Sequence, residues 1–132
     1  ITSGCTASTQ YAYAKMLDLA CDGVINFVED TREYERRAAG MKEIFCRHGF
    51  HIVYDRDVTQ DVGNGFFFTL GYGDMTGEEL VVELLKYGVS GICLSTTGSE
   101  RNGIRACVSR MSEDLFPVLE ERMAEFEKDH RQ

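Results

Sequence analysis

Residues 88–109, GVSGICLSTTGSERNGIRACVS, hold the side chain with the most pointed chemistry in this sequence. Two short apolar runs, 89–94 and 104–109, flank a polar loop, 95–102, whose composition makes turns. The second run carries a single charge, Arg105, set between Ile104 and Ala106. A guanidinium inside an apolar strand needs something to offset its desolvation. Its planar fork suits the two-pronged grip on a carboxylate or phosphate. The plainer alternative is a half-exposed strand arginine paired with a surface carboxylate. Two features weigh against it: Gly98 and Gly103 would let a ligand approach the backbone, and a net-acidic chain makes such a cation less incidental.

Other candidates are weaker. The stretch 71–77, GYGDMTG, follows an expected strand and precedes a helix, the place of a nucleotide-binding glycine loop. Its spacing is wrong, with Thr76 where a glycine is needed, and Asp74 sets a negative charge where a phosphate would go. A flexible turn into a capped helix is the better reading. His48 and His51 lie three apart near Cys46 and Asp55, but the helix is expected to stop between them and no third ligand has suitable spacing. Ser95, Thr96, Thr97 and Ser99 offer hydroxyls without a paired His or a G-x-S-x-G setting, so hydrogen bonds to a ligand or to turn backbone are their ordinary use.

The chain has 132 residues, 22 of them acidic against 14 basic, for a formal net charge of −8. This balance argues against nucleic acid, whose phosphates need a basic face, and against an anionic membrane surface. No apolar run approaches the ~20 residues that span a bilayer. The five cysteines, Cys5, Cys21, Cys46, Cys93 and Cys107, form no C-x-x-C and are odd in number, which points to reduced thiols in a cytoplasmic protein. The opening at Ile1, without an initiator Met, suggests a piece of something larger.

Elements must place Arg105. Apolar spacing predicts a helix from Ser8, capped by Thr6 or Ser8 and broken at Gly23, with Ala12, Tyr13, Met16, Leu17, Ala20, Cys21 and Val24 on its stripe. A second helix is expected over 25–48, with Val28, Tyr34, Ala38, Met41, Phe45 and His48 inward and Gly49 as its C′ residue. Its other face mixes both signs and reads as solvated. A strand over 50–54, a polar connector over 55–64 and a strand over 65–70 follow. Thr76 and Glu79 form a capping box for a helix over 78–87, with Leu80, Val81, Leu84 and Leu85 as its stripe, and Gly88 ends it. The two apolar runs supply strands three and four. Ser112 caps a last helix over 113–128, with Pro117 in its first turn. The order α-α-β-β-α-β-β-α predicts one α+β domain, with a mostly antiparallel sheet of about four strands on helices.

This succession resembles the C-terminal small domain of class I/II aminotransferases, pyridoxal-phosphate enzymes of the aspartate aminotransferase-like fold. The likeness rests on Gly88-Val89, a short strand, a Gly/Ser loop, Ile104-Arg105-Ala106-Cys107-Val108-Ser109 and an acidic-capped helix. Earlier parts are similar too: Ser8-Thr9-Gln10-Tyr11-Ala12 to the helix after the cofactor domain, residues 33–37 to the long connecting helix, and Gly65-Phe66-Phe67-Phe68 to the family's G-x-F-Y/F strand. Residues 1–48 would then be connecting helices and 49–132 the sheet part. The resemblance implies that Arg105 is substrate-binding and holds the α-carboxylate of an amino acid. It implies an upstream large domain carrying pyridoxal phosphate and its Schiff-base lysine, an amino acid and a 2-oxo acid as substrates, and a homodimer. Lys15, Lys42, Lys86 and Lys128 all fall on expected helices outside a Ser-x-x-Lys setting, so the piece alone would be inactive. Thr97-Gly98 stands where the family often has Pro-Gly. The alternatives from other classes are a non-catalytic amino-acid-binding regulatory module and an interaction domain that meets another chain through a strand edge and apolar helix faces.

Overall fold

Helices form where apolar residues recur three and four apart, and strands where they alternate. In the computed structural model, which describes residues 4–63 and 65–131, the helices are α1 (Ala7–Cys21), α2 (Phe27–Arg47), α3 (Gly77–Lys86) and α4 (Phe116–His130). The strands are β1 (Phe50–Ile52), β2 (Arg56–Asp57), β3 (Gln60–Asp61), β4 (Phe67–Tyr72), β5 (Ile92–Cys93) and β6 (Ile104–Cys107). The fold is α+β and follows the expected order, with one addition. The polar connector is a hairpin, β2 paired antiparallel with β3 in a small sheet of its own. Its turn bends through Val58, whose φ of 47° is the one positive value at a non-glycine among the described residues. The connector's last residue, Asn64, and the opening Ile1, Thr2 and Ser3 lie outside the described residues. The chain divides into two compact units, Ile1–Glu33 and Tyr34–Gln132.

In the first unit α1 departs from expectation, because none of its residues is buried. Tyr13 and Leu17 stand exposed on the stripe read as apolar. Thr6 does occupy the N-cap, but its hydroxyl meets that of Thr9 at 2.8 Å and caps no backbone N–H. Gly23, at φ 74°, breaks the chain as expected. The side chain of Asn26 then accepts from the backbone N–H groups of Val28 and Glu29, each at 3.1 Å. That cap, which the sequence reading overlooked, starts α2 two residues later than expected.

In the second unit the four-stranded sheet has the order β1-β4-β6-β5, antiparallel throughout. Alternation assigns its faces. Phe50, Phe68, Leu70, Ile104 and Ala106 are buried in one core with Ala38, Met41, Ile44 and Phe45 of α2, Leu80 and Leu84 of α3, and Leu119, Met123 and Phe126 of α4. Each fully buried Leu or Phe contributes about 1.5–3 kcal/mol. Residues of opposite parity point away from those helices: His51, Phe67, Thr69, Ile92, Arg105 and Cys107, none of them buried. The capping box of α3 is formed, with Thr76 N–H donating to Glu79 at 2.9 Å and Glu79 N–H to the Thr76 hydroxyl at 3.3 Å. Gly88 ends that helix at φ 70°. Leu85, expected inside, is exposed. β5 is shorter than expected because Leu94–Thr97 coils into a 3-10 turn. The last helix starts later, after a 3-10 turn over Glu113–Leu115, and Ser112 precedes that turn without a side-chain cap. Pro117 falls in the first turn of α4, where its missing N–H is tolerated. Among the described residues no helix is long and apolar enough to cross a membrane.

The end of α2 is fastened to α4 through His48, which is 8% exposed. Its Nε2 lies 2.8 Å from Glu120 and its Nδ1 2.8 Å from Glu127. Arg47 also donates to Glu120 at 2.9 Å and Arg131 to Glu127 at 2.8 Å. Burial alone would lower the His48 pKa, but the bonds to Glu127 and Glu120 outweigh it and raise the value above the usual 6.5. Both carboxyls are held below their usual range, first by the bond from His48. The raised imidazole contributes stability present below its unfolded pKa and lost as pH rises through the folded one. The depressed carboxyls contribute stability present above their unfolded pKa and lost as pH falls through their folded values. Urea unfolding midpoints should therefore drop from pH 6 to pH 8.5, and His48→Gln should flatten that slope. Parallel slopes in the two proteins would disprove the coupling.

Candidate functional site

Arg105 sits at the centre of β6, flanked in register by Thr69 of β4 and Ile92 of β5. Its neighbours Ile104 and Ala106 face the core, so its own side chain takes the face turned away from the helices. Phe67 pairs with Cys107 and is therefore a diagonal neighbour of Arg105 on that same face. The guanidinium carbon lies 4.3 Å from the centre of the Phe67 ring, a cation–π contact. Phe67 is 50% exposed, so the ring is a platform and not a core side chain.

Arg105 Nε is buried and has no hydrogen-bond partner. Among the described residues no hydrogen bond or ion pair engages this guanidinium. Other arginines differ: Arg32 pairs with Glu29 at 3.0 Å, Arg47 with Glu43 at 2.8 Å and Arg131 with Glu127 at 2.8 Å. The plainer expectation, a strand arginine neutralised by a surface carboxylate, is thus not what the chain builds. A buried donor left unmade costs about 1–3 kcal/mol, more when it belongs to a charge. What the arrangement can do chemically is present a planar, preformed cation to a carboxylate or phosphate.

The loop before β6 is fixed by its own side chains. Thr96 and Thr97 donate to the carbonyls of Cys93 and Leu94 at 2.7 and 2.8 Å. Ser95 donates to Glu78 at 2.7 Å, and that bond is the main reason the Glu78 carboxyl is held below its usual range. Ser99 bonds the Tyr54 hydroxyl at 2.7 Å, while Arg101 lies 4.7 Å from the Tyr54 ring centre and donates to Val53 O at 2.8 Å. Thr96 and Thr97 thus serve the turn backbone, as their ordinary use suggests, whereas Ser95 and Ser99 tie the loop to side chains of Glu78 and Tyr54. Gly103 has a different reason from the one expected. At φ 137° its Cα lies against Leu70 O and the Val53 side chain, so its missing Cβ serves strand packing, not ligand approach. Gly98, at φ 86° with open space around it, ends the 3-10 turn.

The rival candidates separate in space. His48 is in the core-side network with Glu120 and Glu127, whereas His51 lies on the opposite face with its ring against Gly71. In 71–77, Gly77 is pressed against Cys93 Sγ and Gly103 O, and the Thr76–Glu79 box occupies the start of α3. Gly71 and Gly77 are thus packed, whereas Gly73, at φ 49°, stands in open space. All five cysteines are free.

Sequence reasoning missed Phe67 and Arg101. The run Phe66-Phe67-Phe68 reads as a strand buried on one face, and the parity of Phe68 and Leu70 was the available signal that Phe67 faces out with Arg105. Nothing local signals that Arg101 grips Tyr54. Compared with known protein families and with curated proteins, the sequence finds no match.

A buried charged donor without a partner burdens the fold. Arg105→Met should leave stability unchanged or raise it, by about 0.5–2 kcal/mol in urea unfolding. A loss above about 1 kcal/mol would make Arg105 a structural residue.

Proposed function

We propose that this chain is the C-terminal small domain of a pyridoxal-phosphate-dependent aminotransferase, in which Arg105 binds the α-carboxylate of the substrate. The observation that carries the reading is the unpaired Arg105 guanidinium, with its carbon 4.3 Å from the centre of the Phe67 ring and a buried, unbonded Nε. The α+β order and the central strand position of that arginine support it through the resemblance described above. A bidentate, charge-assisted pair fixes two atoms of the substrate and so orients the bonds at Cα. Phe67 keeps the guanidinium from swinging away, and the fixed 95–102 loop limits the approaches open to the ligand.

The residues present do not fit the cofactor itself. Lys15, Lys42, Lys86 and Lys128 stand on the four helices, and Lys86 is paired with Glu83 at 2.6 Å. The cofactor, which supplies electron withdrawal when bound, belongs in this reading to a large domain preceding the chain. In this reading the parent works in the cytoplasm as a homodimer, on an amino acid and a 2-oxo acid.

The test is Arg105→Ala in the protein joined to its upstream domain. The reading predicts a loss in kcat/KM for amino acids equivalent to about 2–5 kcal/mol of transition-state stabilisation, with Arg105→Lys in between. An unchanged kcat/KM would reject it. Amino-acid binding by the chain with no cofactor-bearing partner in its reading frame would favour the regulatory-module alternative.

A further inference from the structure

The core side of the second unit contains a cavity that Arg105 does not reach. It measures about 440 Å³, within the range of small-molecule sites. Phe45, Ile104 and Leu119 wall it with buried apolar surface, and Leu115 and Val118, each 41% exposed, stand at the solvent side. Two cations complete the lining, Arg110 and Arg122.

Those two arginines have something in common. In a chain with 22 acidic residues, neither carries a carboxylate partner among the described residues. Arg32, Arg36, Arg47, Arg56 and Arg131 all do. Arg122 is nevertheless fixed. Its Nη1 donates to Gly88 O at 2.9 Å, and its guanidinium lies against the Cα of Gly88, whose φ of 70° and missing side chain make the room. One guanidinium nitrogen is thereby committed, and no carboxylate engages the others among the described residues. Apolar walls lined also by two guanidiniums without a carboxylate partner suit an apolar body carrying an anionic head.

The geometry points to a second ligand site, for a medium-chain monocarboxylate, between α2, α4 and the turn at Gly88. It is independent of the Arg105 reading, because Arg105 does not line it and its walls are built mainly from core-facing residues such as Phe45, Ile104 and Leu119.

The test titrates the protein with octanoate below its micelle concentration and follows backbone amide resonances. Saturable shifts at Ser90, Met111 and Val118 are expected, and they should persist in Arg105→Ala. Arg110→Gln combined with Arg122→Gln should weaken binding about tenfold or more, and 1-octanol should bind as weakly as octanoate binds that variant. Val118→Glu, at an exposed position, should repel octanoate without disturbing the fold. Shifts that do not saturate, that move to the Arg105 face, or that are equal for octanol and octanoate would overturn the proposal. So would a concentration-dependent dimer that buries these residues and excludes octanoate.

Discussion

A buried guanidinium nitrogen with no partner is the constraint on which the account depends. The protein surrounds Arg105 with an apolar strand, sets an aromatic ring 4.3 Å from its guanidinium carbon, and leaves its Nε unbonded. A chain so rich in carboxylates could have neutralised this cation, as it does Arg32, Arg47 and Arg131. Holding it unpaired forgoes stability that a bound carboxylate would restore. This is the trade expected where a site is preorganised for a ligand.

The scaffold achieves this through parity and register. Leu70, Ile104 and Ala106 are drawn into a core with α2, α3 and α4, which fixes one face of β4 and β6. A shift of one residue in β6 would exchange Arg105 with Ile104 and bury the charge, so hydrophobic burial specifies the position of this cation. The His48–Glu120–Glu127 network fastens α2 to α4, and the Arg101–Tyr54 contact fastens the loop before β6 to the end of β1. Both act on the frame and not on a ligand.

Much of this was legible in the sequence. The capping box at Thr76 and the glycine stops at Gly49 and Gly88 are local signals, and each has its expected consequence in the structure; Arg105 is legible as a lone charge in an apolar strand. Tertiary contacts decided the rest. No residue of the stripe on α1 is fully buried, because periodicity shows what a helix could bury and not what it does bury. Gly103 reads as room for a ligand, yet the backbone of Leu70 fills that room, a contact between residues 33 positions apart in the numbering. Phe67 could be placed only after the pairing of β4 with β6 was known. The hairpin of β2 and β3 lies in a polar stretch with none of the alternation that marks a buried strand.

The most direct measurement is the ¹⁵N resonance of each arginine Nε during titration with a small amino acid or 2-oxo acid. A guanidinium kept free for a carboxylate predicts a saturable shift at Arg105 Nε, with Arg32 and Arg47 unmoved. No shift at Arg105, or the same small drift at every arginine, would contradict the account.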